Sequence, residues 1–132
     1  MLKDPATVAH LTIGLFIAIV FLQSGLDKII DWKGNLSWLK EHFKNSPLSG
    51  VVTPMLAIVT LAEMAAGIVA IWGLYCLISC KEPIIILYAV TLGLLSLLML
   101  LFGQRLAKEY DGAKTIVIYM VVLLISLLFF IK

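Results

Sequence analysis

The residues most able to do chemistry crowd the end of the first long apolar run, FLQSGLDKII at positions 21 to 30. Gln23, Ser24, Asp27 and Lys28 fall within two helical turns there, with Gly25 among them. At about 100° per residue, Gln23 lies beneath Asp27 and Ser24 beneath Lys28, and the group reads as one polar wedge. Glu63 stands ~13 Å along the axis of the second apolar run, near mid-bilayer. Gln104 and Arg105 sit where the third run stops, and Tyr119 lies about one turn inside the fourth. Ionisable groups at membrane depth are costly, so they face a protein interior, pair with one another and mark function.

A carboxylate at that depth takes up a proton or finds a cationic or hydrogen-bonding partner. The simplest arrangement pairs Glu63 with Lys28 or Arg105, with Gln23 and Tyr119 completing the hydrogen bonds and Gln104 at the same membrane face. Such a cluster can fix helix register. It can equally hold a quinone headgroup, a lipid headgroup or a partner's polar segment, and the residue types do not choose among these. No catalytic set is read beside it.

Metal and thiol chemistry find less support. The chain has two histidines, His10 and His42, one full span apart and on opposite sides of the bilayer. They cannot share one iron or zinc, so His10 reads as an interfacial polar residue rather than a haem ligand. Cys76 and Cys80 stand at i, i+4 near a helix C-terminus, where the dipole disfavours a thiolate, and they read as inert apolar-like side chains rather than a redox pair.

The elements that carry these residues follow from composition. The chain has 132 residues, of which 62% are apolar, and a mean hydropathy of +1.09. Soluble domains are about 45–50% apolar, so the bilayer is the expected solvent. At ~20 apolar residues per span there is room for four spans and little else. A net charge of +2 gives no reason to expect nucleic acid. The fold class is therefore all-α: four transmembrane helices in an antiparallel bundle, at about 7–30, 53–79, 84–102 and 113–131, forming a single domain over 1–132.

Local signals place the boundaries. Asp4-Pro5 starts the first span, which is expected to be retained because no cleavage pattern precedes it. In the first connection Trp32, Leu36, Leu39 and Phe43 share one face, with lysines on others. This predicts a short amphipathic helix in the headgroup plane, with Asn35 as its N-cap. It is an anchor, a flap over a pocket or a docking surface. Thr53-Pro54 reads as the cap and first residue of the second span, and Asp111-Gly112 as the turn before the fourth. Gly25, Ala66, Gly67, Ala70 and Gly73 are small residues that let another helix approach closely, as packing in lipid requires. The third span is uniformly apolar and suits lipid or a partner's helices. Trp72, Tyr75 and Tyr88 frame one membrane edge as an aromatic belt.

Seven of the ten lysines and arginines fall in the first and third connections: Lys28, Lys33, Lys40, Lys44, Arg105, Lys108 and Lys114. Lys3, Lys81 and Lys132 lie on the other side. The positive-inside rule then places both termini outside and the polar cluster towards the cytoplasm.

Along almost its whole length the chain resembles the DoxX family of small bacterial membrane proteins. The resemblance rests on SGLDK at 24 to 28, on E-x-x-x-G from Glu63 to Gly67, on Gly73-Leu74 and on GQRLAKEYDGA at 103 to 113. It implies a four-helix protein of the bacterial inner membrane without a cofactor motif of its own. It points to Gly25, Lys28, Glu63 and Gly67. Relatives in that family are associated with membrane oxidoreductase complexes. The resemblance therefore implies a non-catalytic integral subunit or accessory of a larger inner-membrane oxidoreductase or respiratory complex, with other membrane subunits as partners. The alternatives are a quinone- or lipid-binding redox membrane protein built on the Glu/Lys/Arg cluster, and a membrane chaperone or assembly factor.

Overall fold

A computed structural model describes residues 4–47, 49–106 and 110–130. Five α-helices follow one another: α1 (Pro5–Ile30), α2 (Trp32–His42), α3 (Val52–Cys80), α4 (Ile84–Leu106) and α5 (Tyr110–Ser126). A 3-10 turn, Leu127–Phe130, continues α5. Four of these segments are long and apolar enough to cross a membrane, and α2 is the short helix between the first two. The fold is the expected all-α bundle of four spans.

α1 starts as its sequence dictates. Asp4 accepts a hydrogen bond from the Ala6 backbone N–H at 3.2 Å and another from the Thr7 hydroxyl at 3.2 Å, and Pro5 fills a position that needs no donor. Its buried stripe runs through His10, Ile13, Gly14, Ile17, Phe21 and Gly25 at helical spacing. The matching stripe of α3 runs through Val59, Glu63, Ala66, Gly67, Ala70 and Gly73. The α1–α3 seam is where the small residues act. A methyl group at Gly67 would meet Leu22 Cγ at 2.5 Å, and one at Gly25 would meet Met64 Sδ at 2.5 Å. Gly73 serves the α3–α4 seam instead: a methyl there would lie 2.8 Å from the Ile86 backbone nitrogen.

Four boundaries differ from expectation. α2 starts at Trp32, and Asp31 is its N-cap, accepting from the Gly34 N–H at 3.3 Å. Asn35 is therefore inside the helix. Its amide donates to the Asp31 carbonyl at 2.9 Å and the Asp27 carbonyl at 3.4 Å, because α1 and α2 are separated by Asp31 alone and the freed carbonyls at the end of α1 need donors. α3 starts before Thr53, at Val52, with no side-chain cap. α4 runs on to Leu106 and takes in Gly103, Gln104 and Arg105, while Asp111 and Gly112 belong to the first turn of α5. Residues 107–109, Lys108 among them, lie outside the described residues, as do Lys3 and Lys132 of the charge count. At the other end of α3, Lys81 adopts the left-handed conformation (φ 56°) and its N–H closes the helix on the Leu77 carbonyl at 3.0 Å.

The third span also has a different place from the one its composition implied. α4 packs against α3, α5 and α1. Its inner face carries Ala89, Gly93, Ser96 and Gly103 between Ile86, Val90 and Leu97. Uniform hydropathy concealed this small-residue face, since alanine, glycine and leucine all read as apolar. At Gly93, Phe21 of α1 and Leu123 of α5 both reach within about 3.2 Å of where a side chain would begin, so the three helices meet there. α5 is the least enclosed span, and Val117, Ile118, Val121, Leu124 and Ile125 stand exposed on it.

Candidate functional site

Most buried hydroxyls in the spans are satisfied within their own helix. Thr60 donates to the Leu56 carbonyl at 2.7 Å and Ser96 to the Leu92 carbonyl at 3.1 Å. Such local bonds are the low-cost way to carry a hydroxyl at membrane depth. The exceptions gather at one end of the bundle. Among the described residues, the buried side-chain polar atoms without a hydrogen bond are Glu63 Oε1, Gln104 Oε1 and His42 Nε2.

Glu63 is 1% exposed, on the α1 side of α3. Lys28 reaches it from the last turn of α1, with Nζ 2.9 Å from Oε1. The contact is a close ion pair whose alignment leaves Oε1 without a good hydrogen bond. The same ammonium donates to Ser24 Oγ at 2.7 Å, one turn back on α1. Ser24 thus orients Lys28 and Lys28 neutralises Glu63. Gly25, one turn from Lys28 on α1, and Gly67, one turn from Glu63 on α3, bring the helices near enough for this reach.

The polar wedge on α1 divides into two rows. Ser24 and Lys28 face α3, whereas Gln23 and Asp27 are exposed. The wedge was too wide to be one face: Gln23 and Lys28 are about 140° apart around the axis. The hydrogen bonds expected from Gln23 and Tyr119 to Glu63 do not form. Gln23 points outward, and Tyr119 is half-buried with its ring edge-on to Phe16 at 6.0 Å. Arg105 is exposed at the end of α4, and it is Lys28 that sits on Glu63.

Two cavities flank the ion pair. One, of about 250 Å³, lies beneath α2 and is walled by Lys28, Asn35, Trp38, Phe43, Met99 and Gln104 among others. The other, of about 300 Å³, lies between α1, α4 and α5; Gln23, Ser24, Asp27, Glu63 and Tyr119 form its polar rim. Lys28 belongs to the first wall, Glu63 to the second and Leu100 to both. The expected cluster is therefore partitioned, with Gln104 and Lys28 on one side and Gln23, Glu63 and Tyr119 on the other.

α2 lies over the first cavity with Phe43 buried and Trp32, Leu36 and Leu39 half-buried, which is the expected apolar face. Trp38 is off that face and 59% exposed, yet it lines the cavity and stacks on His42 at 4.7 Å between centroids. Asn35, expected only as a helix cap, and Trp38 line the site without having been assigned to it from the sequence. Their only signal is spacing: Trp38 and His42 are one turn apart on a helix whose neighbours had no visible positions. Gln104 is held from the far side, where its Nε2 would be 2.9 Å from any side chain begun at Gly112.

Among the described residues, the opposite end of the bundle holds no comparable cluster. His10 is buried there, its Nε2 2.7 Å from the Phe129 carbonyl and its ring 4.5 Å from that of Phe130. The imidazole donates to this carbonyl of the 3-10 turn and ties the start of α1 to the end of the fourth span. Cys76 is half-buried and Cys80 exposed, both as free thiols. Among the described residues no group of three metal-ligating side chains converges.

Compared with known proteins, the chain matches no family model, no curated sequence and no solved structure.

Proposed function

We propose that this protein is a multi-pass membrane protein that holds a lipid-soluble molecule, a quinone or a lipid, by its polar head at the Lys28–Glu63 pair. The observation that carries this reading is the position of the pair as the wall between two cavities, each apolar over most of its surface with a few polar groups. Small-molecule sites have that composition. A pair serving only to fix register needs no space on either side. The lysine-rich first and third connections support an orientation with both termini outside and this end of the bundle towards the cytoplasm. The motif resemblance to DoxX proteins supports a bacterial inner membrane as its location.

The test is to extract the protein in its native lipid with a styrene–maleic acid copolymer and identify retained molecules by solvent extraction and mass spectrometry. A quinone or one lipid class enriched over the surrounding bilayer, and lost in a folded Glu63→Gln variant, is the expected result. Retained lipid that mirrors the bilayer and ignores the substitution would remove the reading.

A second reading is favoured by α5, whose exposed apolar face exceeds that of the other spans. In it the protein is a non-catalytic accessory subunit of a larger oxidoreductase complex, with α5 against a partner's helix. Native mass spectrometry after mild extraction distinguishes the two, since a lone chain under every mild condition speaks against a partner.

A further inference from the structure

Resting on the proposed ligand-binding role, the geometry of the cavity beneath α2 points to one chemical class: a neutral headgroup that carries a free hydroxyl. Lys28 has three N–H groups. One goes to Ser24, and the ammonium lies 2.9 Å from Glu63 Oε1, which cancels its charge without a well-aligned hydrogen bond. Donor capacity is left for the cavity whose wall Lys28 forms. Gln104, on the same wall, has a buried carbonyl oxygen with no hydrogen-bond partner.

The site thus offers Lys28 as a donor and Gln104 as a buried unmet acceptor, beside the Asn35 and Trp38 side chains, and the charge of its ion pair is balanced. An anionic phosphate would meet a cation already neutralised at 2.9 Å and would leave the Gln104 oxygen unmet. A hydroxyl accepts from Lys28 and donates to Gln104. Being both donor and acceptor, it serves the amide in either of its two orientations. The volume, about 250 Å³, falls below the ~300–1,000 Å³ of sites that enclose a whole drug-sized ligand. It accommodates a head, with the apolar tail left in the bilayer. Trp38 on α2 and Phe43 at its C-cap line the space for that head. The same chemistry is present in the free hydroxyl of a diacylglycerol and in the phenol of a reduced ring lipid.

The test reads Trp38 fluorescence in a chain where Trp32 and Trp72 are replaced by Phe, leaving Trp38 as the only one of the three tryptophans. The purified full chain in nanodiscs is titrated with dioctanoylglycerol, decylhydroquinone, decylhydroquinone dimethyl ether and dioctanoyl phosphatidate. Saturable change with either hydroxyl probe, at least about tenfold tighter than with the dimethyl ether or the phosphatidate, is expected, because an unmet buried acceptor gains its partner only from them. The tighter of the two hydroxyl probes identifies the source. Gln104→Leu and Gln104→Met, each checked for helicity, should erase most of that preference.

Equal or tighter binding of phosphatidate or of the dimethyl ether overturns the inference on the unmutated chain alone. So does a hydroxyl preference that both folded Gln104 variants retain. If no probe binds while native extraction still returns an enriched lipid lost in Glu63→Gln, this inference fails and the broader ligand-binding reading stands.

Discussion

Lys28 Nζ lies 2.9 Å from Glu63 Oε1 across the α1–α3 seam, and the carboxylate has almost no exposure while the lysine side chain keeps 18%. The asymmetry gives each partner a different part. Among the described residues, Glu63 has its one ion pair with Lys28. Lys28 keeps Ser24 as a second partner and the cavity beneath α2 as a third direction.

Removing the lysine should therefore cost more than removing both charges. Lys28→Met leaves Glu63 buried with no counter-charge, and a loss of about 3–5 kcal/mol is expected for breaking such a pair from one side. Adding Glu63→Met should restore most of it. Reversible unfolding in SDS and mild detergent measures both; equal losses in the single and double variants would mean that the unpaired carboxylate is not the source of the single variant's loss.

The glycines of the two seams should rank by what their neighbours can yield. Gly73→Ala drives a methyl against the Ile86 backbone at 2.8 Å, which cannot move without moving α4. A loss of about 1–3 kcal/mol is expected from such overpacking. Gly25→Ala meets only the Met64 thioether chain, which can turn aside, and should cost less. The same unfolding assay orders them, and a costlier Gly25→Ala would contradict the seam described here.

His10 anchors the end of the fourth span through one hydrogen bond and one ring contact. His10→Phe keeps the ring and drops the bond, so about 1 kcal/mol should be lost. The loss should be local. Hydrogen exchange at 127–130 is expected to accelerate while exchange around Glu63 does not change. Uniform acceleration would place the effect elsewhere.

Thiol labelling checks the orientation proposed from the charge bias. Cys80 is exposed beside the second connection, and Ser37 is exposed on α2 at the other end of the bundle. In intact cells an impermeant maleimide should modify Cys80. A Ser37→Cys variant with both native cysteines removed should react only after the membrane is opened. The reverse pattern would invert the topology.

How much was legible in the chain follows from what hydropathy and capping can encode. Four runs of apolar residues, each bounded by polar ones, determine four spans whatever their arrangement, since a backbone in lipid must satisfy its own hydrogen bonds. Asp4-Pro5, the period of Trp32, Leu36, Leu39 and Phe43, and the alternation of the connections likewise determined the first helix start, the apolar face of α2 and the end of the bundle at which the polar residues collect. Even the choice of cation for Glu63 was narrowed to two.

Rotation about each helix axis was decided only by the tertiary structure. Nothing local states which side of α1 meets α3. Once Gly67 seats Leu22 and Gly25 seats Met64, Ser24 and Lys28 turn inward while Gln23 and Asp27 turn outward. The same packing sets α4 against α1, α3 and α5, places Gln104 beneath α2 and separates it from Tyr119 by the Lys28–Glu63 pair. Sequence spacing gives a side chain its angle relative to its own helix. Its partner depends on how two helix surfaces fit, and that is a property of both surfaces together.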